Sequence, residues 1–353
     1  MIRIRRGRVL SVRERHPGLL EATVEIDGAR ATALAYPDLT GEIAPGDIAI
    51  LNTTAVALDL GTGGAHFVMA VEGRETDERP AGHAMKLRYT PSQTVVAAAE
   101  ETHRQAVDAV TSLDAMPVIV AGLHSAVAPA AIGVRSVAPG ARVAYVMTEG
   151  GALPLLLSDA VPAMRAAGLL DVSITSGHTF GGDLEAVTLP GALATARVVA
   201  GADLVVAAMG PGNIGTGSRW GFGLIEVATI INVVAAMGGR PIVAPRVSFA
   251  DQRARHRGVS HHTLTALGLA LAPAEIVLPQ LTADRAAFVR EQLAPLLDKH
   301  TLTEVDLGEV DDVLRDSPVP LRTMGRALDD DPDYFRTAAA AGVHAGRAAT
   351  SRR

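Results

Sequence analysis

Cysteine is missing from all 353 residues of the chain. Disulfide bonds, thiolate-bound zinc, iron–sulfur clusters and cysteine nucleophiles are therefore excluded. Aromatic residues make up only 3% of the sequence, so the core has to be built from alanine, valine, leucine and isoleucine. Such an aliphatic core is typical of parallel sheets that helices cover on both faces.

The sequence also lacks long apolar runs and an excess of positive charge. No apolar segment reaches the roughly 18 residues that a membrane-spanning helix needs. The N-terminus, Met1-Ile2-Arg3-Ile4-Arg5, is charged and has no apolar signal core, so we expect a cytoplasmic protein without membrane partners. The net charge of −6 argues against nucleic acid as a partner, because general nucleic-acid binders present a concentrated basic face.

The character of the sequence changes near residue 75. Residues 1–75 predict a small all-β, barrel-like domain, because short alternating apolar segments are separated by turn signals such as Asp27-Gly28. The charged, turn-rich segment 72–82 marks the first boundary. Residues 76–307 predict a Rossmann-like α/β domain. Residues 308–353 predict a helical extension that ends in a frayed tail from Gly346.

The second domain shows the strand–helix alternation of a parallel sheet. A helix is predicted over residues 94–112, before the first strand of the sheet. Buried aliphatic strands are predicted at 118–121, 143–147, 172–175, 204–209, 242–245 and 275–278. Strands that alternate with helices are joined by right-handed crossovers, so the predicted fold class is α/β with a doubly wound, mainly parallel, three-layer sheet.

Polar residues collect in the loops that follow these strands. Five of the eleven histidines lie there, namely His124, His178, His256, His261 and His262. The loops at the opposite ends of the strands are short and carry few polar groups. In open parallel sheets, ligands bind outside the carboxyl ends of the strands, so these loops predict a small-molecule site.

A glycine-rich loop follows the strand at 204–209 and begins Gly210-Pro211-Gly212-Asn213-Ile214-Gly215-Thr216-Gly217. Its glycines allow backbone N–H groups to approach an anion closely, so the loop is predicted to hold a phosphate or a carboxylate. The pattern contains GxGxxG, so a dinucleotide loop is an alternative. A nicotinamide cofactor is disfavoured because the loop runs on to Gly223 before a helix can begin, and because Arg246, not an acidic residue, follows the next strand. A turn required only for tight packing is the structural alternative.

The segment 248–262 places four basic residues close to Asp251 and ends in a pair of histidines. Neutral imidazoles can ligate a metal such as zinc, although the spacing matches no familiar metal signature. The metal candidates are His178, Asp251, His256 and His261. A general acid–base role is the alternative, for which the catalytic candidates are His178, Asp183, Glu149, His261 and His262. A purely structural role, with one histidine capping a helix, also stays open.

Three segments together resemble an uncharacterised bacterial family, a domain of unknown function of similar length. They are PGNIGTG at 211–217, HTFGGD at 178–183 and RGVSHHT at 257–263. The resemblance extends over nearly the whole chain. It implies no reaction and no cofactor, but it supports grouping these loops into one site.

The predicted function is the binding of a small anionic molecule, a nucleotide or a phosphorylated metabolite, by an enzyme of hydrolase or transferase type. The ligand-binding candidates are His124, Ser125, Gly210, Gly212, Asn213, Gly215, Thr216, Gly217, Arg219 and Arg257. A metabolite sensor or assembly module that leaves its ligand intact is the alternative, and a nicotinamide-dependent oxidoreductase is the third interpretation. The apolar segment 224–237 can serve as a core helix or as the face of a homodimer.

Overall fold

The computed structural model describes residues 2–60, 63–75 and 82–352. The chain divides into two compact units, Met1–Ala97 and Ala98–Arg353. Part of the predicted boundary segment, residues 76–81, lies outside the described residues. Residues 82–97 belong to the first unit, whereas the predicted boundary assigned them to the α/β domain. Residues 308–353 belong to the second unit.

The first unit contains a closed five-stranded barrel with the strand order β1-β2-β3-β5-β4. Its elements are β1 (Ile4–His16), β2 (Leu19–Ile26), β3 (Ala29–Ala35), α1 (Pro37–Thr40), β4 (Ile48–Asn52), α2 (Thr54–Ala57), β5 (His66–Val71), β6 (Ala84–Lys86) and β7 (Thr94–Val96). Apolar side chains such as Val9, Val24 and Leu51 fill the barrel. Asp27 and Gly28 turn between β2 and β3 with φ of 52° and 82°, which confirms the predicted hairpin.

The second unit contains an eight-stranded sheet in which every pair of neighbouring strands is parallel. The sheet strands are β8 (Pro117–Ala121), β9 (Val143–Thr148), β10 (Val172–Thr175), β11 (Leu184–Glu185), β12 (Leu204–Met209), β13 (Arg240–Ala244), β16 (Glu275–Pro279) and β17 (Thr301–Val305). Short antiparallel pairs join β14 (Val247–Ser248) to β15 (Gly258–Val259) and β18 (Arg322–Thr323) to β19 (Arg326–Ala327).

Helices lie on both faces of this sheet. They are α3 (Ala99–Thr102), α4 (Arg104–Asp108), α5 (Val127–Val137), α6 (Ala160–Ala166), α7 (Leu189–Val198), α8 (Glu226–Ala236), α9 (His261–Leu269), α10 (Ala283–Leu293), α11 (Val310–Arg315) and α12 (Pro332–Thr350). Neighbouring residues of one strand point to opposite cores: Ile119 packs with α5 and α12, whereas Val118 packs with α7 and α8. The aliphatic strands are buried on both sides, as predicted, and the fold is consistent with a Rossmann-like architecture.

The strand order of the sheet is β11-β10-β9-β12-β8-β13-β16-β17. The first strand along the chain, β8, is therefore central, and β12 inserts between β8 and β9. The loops that follow β12, β8 and β13 leave from three adjacent strands. The loops that follow β9, β10 and β11 leave from the strands between β12 and the β11 edge of the sheet.

Three details differ from the sequence prediction. The helix predicted over 94–112 is broken: Thr94–Val96 forms β7, paired with β6, and only α3 and α4 are helical. The predicted frayed tail is helical, because α12 continues to Thr350. The edge strands β11 and β17 were not predicted.

Among the described residues, none of the helices combines the length and the apolar composition that crossing a bilayer requires.

Candidate functional site

A pocket of about 520 Å³ lies at the carboxyl ends of β12, β8 and β13. The loops after these three strands form its walls because the strands are neighbours in the sheet. The predicted residues that line it are His124, Ser125, Gly210, Gly212, Asn213, Gly215, Gly217, His256 and His262. The chain's glycine-rich loop and its histidine-rich segment therefore meet in one place.

Four arginines line this pocket: Arg246, Arg253, Arg255 and Arg322. No carboxylate is among the described residues that line it. Arg246 is the second residue after β13 and only 6% of its surface is exposed, whereas Arg255 and Arg322 are exposed to solvent. Such an arginine-rich lining makes the pocket attractive to anions.

Asp251 lies behind this lining and compensates part of its charge. Its Oδ2 accepts hydrogen bonds from Arg246 Nη2 at 2.9 Å and from Arg253 Nη2 at 2.8 Å. The hydrogen bond from Arg253, against the opposing effect of burial, holds the pKa of Asp251 well below its usual range. Asp251 is thus a buried, ionised counter-charge rather than a group that lines the pocket.

Three histidine rings pack against one another beside the arginines. The centroids of His256, His261 and His262 are 4.2 to 5.0 Å apart, and Phe222 stacks on His262 at 4.0 Å. Burial, together with the charge of Arg246, lowers the pKa of His256 to about 3. Burial and the neighbouring His261 lower the pKa of His262 to about 4. These imidazoles are neutral near pH 7.

His124 forms another part of the wall and its tautomer is set by its partners. The hydroxyl of Tyr145 donates to the carbonyl of Met209 at 3.0 Å, so its oxygen accepts from His124 Nδ1, which lies 3.0 Å away. His124 Nε2 then accepts from Ser158 Oγ at 2.6 Å. Burial lowers the pKa of His124 to about 4, so this ring also stays neutral.

The glycine-rich loop does not lead directly into a helix. A bridge between Gly215 and Phe222 closes it into a hairpin, and Thr216 Oγ1 donates to the carbonyl of Gly221 at 3.1 Å. Helix α8 begins only at Glu226, whose carboxylate accepts the backbone N–H of Gly150 at 3.0 Å. A carboxylate of the protein thus lies at the start of α8. In a dinucleotide-binding loop the pyrophosphate would lie at the N-terminus of the following helix.

The protein-family comparison adds to this geometry. A family model described as "Protein of unknown function (DUF3866)" matches residues 32–342, which is most of the chain. The chain belongs to the DUF3866 family. The resemblance to a domain of unknown function that the sequence motifs predict is thereby confirmed. No curated protein and no solved structure matches this DUF3866 chain.

Several predicted residues of this DUF3866 protein lie outside the described lining of the pocket. They are Glu149, His178, Asp183, Thr216, Arg219, Arg257 and His261. Glu149 accepts the backbone N–H of His178, and Asp183 accepts from the backbone and hydroxyl of Ser173, both at 2.7 Å, and pairs with Arg165. These contacts brace the loops after β9 and β10. Arg219 stacks over Trp220 at 4.5 Å.

One wall of the pocket in this DUF3866 chain was not predicted. It is supplied by residues 320–324, which include Arg322 and Thr323 of β18. Thr323 Oγ1 accepts from Ser125 Oγ at 3.1 Å, and Ser125 Oγ lies 2.7 Å from the hydroxyl of Tyr334. The sequence does show two arginines, Arg322 and Arg326, on either side of a Met-Gly turn. No local pattern, however, indicates that this turn contacts the loop of Ser125, which lies 198 residues before Thr323.

Proposed function

We propose that the protein binds a small anionic molecule, a nucleotide or a phosphorylated metabolite, in the pocket at the carboxyl ends of β12, β8 and β13. The observation that carries this proposal is the lining: four arginines face the pocket, and no carboxylate does so among the described residues. We further propose that the fold is a doubly wound, three-layer sheet of the Rossmann-like type. Such folds bind ligands at this end of the sheet.

The charge balance of the pocket supports an anionic ligand. Asp251 pairs with Arg246 and Arg253 and so offsets one positive charge of the four. Arg255 and Arg322 point into solvent-accessible space and have no ion pair among the described contacts. Guanidinium groups bind phosphate and carboxylate oxygens through paired N–H donors, and a phosphoryl group has enough oxygens to accept from two arginines at once.

The rest of the lining supports a ligand larger than inorganic phosphate. Apolar side chains of Leu123, Met209, Leu224 and Met324 contribute to the pocket, and its volume lies within the range of about 300–1,000 Å³ that small-molecule sites occupy. We infer a ligand with an anionic end beside the arginines and a less polar part beside these side chains. In an enzyme of hydrolase or transferase type, the imidazoles of His256 and His262 would contact the bound ligand, because both line the pocket.

A binding experiment tests the proposal directly. Nucleotides, sugar phosphates and inorganic phosphate are titrated into the protein, with thermal shift as a screen and calorimetry for the best ligand. Arg255→Ala and Arg322→Ala should each weaken binding roughly 10- to 100-fold, because each removes a charge-assisted contact. Arg219→Ala is the matched control, since this exposed arginine stacks on Trp220 outside the described lining.

The outcomes separate the alternatives. Saturable binding that the pocket variants lose and Arg219→Ala retains supports the proposal. An absence of anion binding, or an equal loss in all three variants, contradicts it. Mass spectrometry after long incubation then distinguishes an enzyme, which converts its ligand, from a sensor, which returns it unchanged.

A further inference from the structure

The histidine cluster next to the pocket has a property that the anion proposal does not use. His256 ends a 3-10 turn, and His261 and His262 are the first two residues of α9. One ring nitrogen from each residue lies within 4.8 Å of the corresponding nitrogens of the other two. His256 and His262 also line the pocket, so the cluster borders the space that the ligand would occupy.

The ring nitrogens of this cluster are incompletely used within the protein. His261 Nε2 and His262 Nδ1 are buried and have no hydrogen-bond partner in the described part of the chain. His256 Nδ1 lies 2.8 Å from Ser260 Oγ and 2.9 Å from Arg246 Nη1, so Nε2 is the nitrogen that is left for a ligand. Among the hydrogen bonds of the described residues, Nε2 accepts one, from the Nε of Arg255 at 3.4 Å, and Arg255 is an exposed side chain that can turn into solvent. Buried polar atoms without partners are rare and call for an explanation.

We propose that His256, His261 and His262 bind a divalent transition-metal ion, with zinc as the leading candidate, and leave a coordination position open towards the pocket. Imidazole nitrogens favour zinc, nickel, copper and iron, whereas magnesium and calcium require oxygen ligands. Three protein ligands with an open position are the arrangement of catalytic zinc sites, in contrast to the closed four-ligand structural sites.

The residues around the cluster orient the proposed ligands. Ser260 lies between the histidines in sequence, and its Oγ contacts His256 Nδ1 and also accepts the backbone N–H of His262 at 3.3 Å. In the metal-bound tautomer, His256 Nδ1 carries the proton and donates it to Ser260 Oγ, the kind of outer contact that metal-bound histidines make. Arg246 Nη1, which donates to the unprotonated Nδ1 at 2.9 Å in the structure, has to turn away from the ring in this tautomer, because Ser260 Oγ already accepts from Nδ1 and from the backbone N–H of His262.

Two considerations set the conditions for binding. The three nitrogens must approach to about 3.4 Å for metal–nitrogen distances near 2.1 Å, so the side chains have to rotate inwards. The nearby arginines repel a cation, but Asp251 neutralises part of that charge, and an anion in the pocket would neutralise more. Metal and anion are therefore expected to strengthen each other's binding.

The other two residues that the sequence suggested as ligands do not join this cluster. Asp251 is committed to Arg246 and Arg253. His178 follows β10, on the other side of β9 and β12 from the strand that precedes the cluster. His262, which was predicted only as a catalytic residue, takes their place.

The test uses the full chain after treatment with a chelator. Calorimetric titration with Zn²⁺ should show one equivalent bound, and Co²⁺ should give the intense visible bands of a low-coordinate nitrogen site. His256→Asn and His261→Asn should each weaken metal binding at least about 100-fold. Loss of a mere outer-shell partner already costs up to about 100-fold, and these variants remove a direct ligand. His178→Asn is the matched control and should bind as the unmodified protein does. Thermal melts of the metal-free variants establish that they fold.

X-ray absorption of the zinc-loaded, unmodified protein provides a measurement that does not depend on the variants. Scattering from three imidazoles is expected, and a shell of oxygen ligands alone would overturn the proposal. So would the absence of a stoichiometric metal, or unchanged binding in both variants. Anion titration of the chelator-treated protein is carried out separately, so failure of the metal site and failure of the proposed anion site are distinguishable.

Discussion

Asp251 shows how a single buried residue tunes the pocket. Its carboxylate is 3% exposed and lies between the guanidinium groups of Arg246 and Arg253. Asp251→Asn should destabilise the protein by about 3 kcal/mol or more, because it leaves Arg246 buried without its counter-charge. The same substitution should strengthen anion binding, because the pocket becomes more positive. Urea denaturation and calorimetry measure the two effects, and a parallel loss of both would show that Asp251 positions the arginines rather than neutralising them.

His124 gives a second prediction at the residue scale. Burial lowers its pKa from 6.5 to about 4, so the unfolded chain binds more protons than the folded protein between these pH values. The free energy of unfolding should therefore fall as the pH is lowered from about 6.5 to 4, since each pKa unit of difference is worth about 1.4 kcal/mol. His124→Gln should reduce the slope of stability against pH in urea denaturation. His103→Gln, at an exposed position, is the control, and equal slopes in both variants would contradict the assignment.

Helices α5 and α12 cross at a point where neither backbone can carry a side chain. A Cβ on Gly133 would overlap the carbonyl oxygen of Ala339, and a Cβ on Gly342 would overlap that of Ala130. Gly342→Ala should therefore destabilise the protein by about 2 kcal/mol or more, since overpacking forces the helices apart. Gly140→Ala is the control: an added Cβ there meets open space, so stability should stay the same or rise slightly. A matching loss in both variants would contradict the close-crossing explanation.

The elements that were predicted correctly are those with strong local signals. The strands β8, β9 and β12 are continuous aliphatic segments and were identified within a residue or two. β11 is only two residues long, and three of the five residues of β17 at the sheet edge are polar, so neither resembles a buried strand. Thr94, Val95 and Val96 were assigned to a helix although their β-branched side chains favour the strand that they form.

The candidate site depends on strand order, which no local pattern encodes. The sequence showed which loops carry polar groups, but not that β12 lies between β9 and β8. This insertion brings the glycine-rich loop next to the loops after β8 and β13, and it leaves His178 and Asp183 on the far side of β9. Predicting it would require knowledge of long-range strand pairing, which also explains why Arg322 was overlooked.

At the scale of the whole molecule, the described lining of the pocket comes from one unit. All these residues lie between Leu123 and Met324, within Ala98–Arg353. We expect a fragment of residues 98–353 to fold alone and to bind the same anions as the full chain. Circular dichroism, urea denaturation and calorimetry check this. A fragment of residues 98–331, which lacks α12, is the control that should not fold. Loss of anion binding in the folded 98–353 fragment would contradict the expectation.

The position of α12 has a consequence for the synthesis of the protein. This helix covers one face of the sheet and packs against α5, yet it is the last helix in the described chain. While a ribosome is still adding residues 332–350, the apolar side chains of that face have no cover, and Tyr334 is not yet in place to contact Ser125 in the pocket wall. The strands can form early, but the wall of the pocket is completed only when α12 has emerged. A nascent chain that stalls before α12 would expose an aliphatic surface and would depend on chaperones to remain soluble.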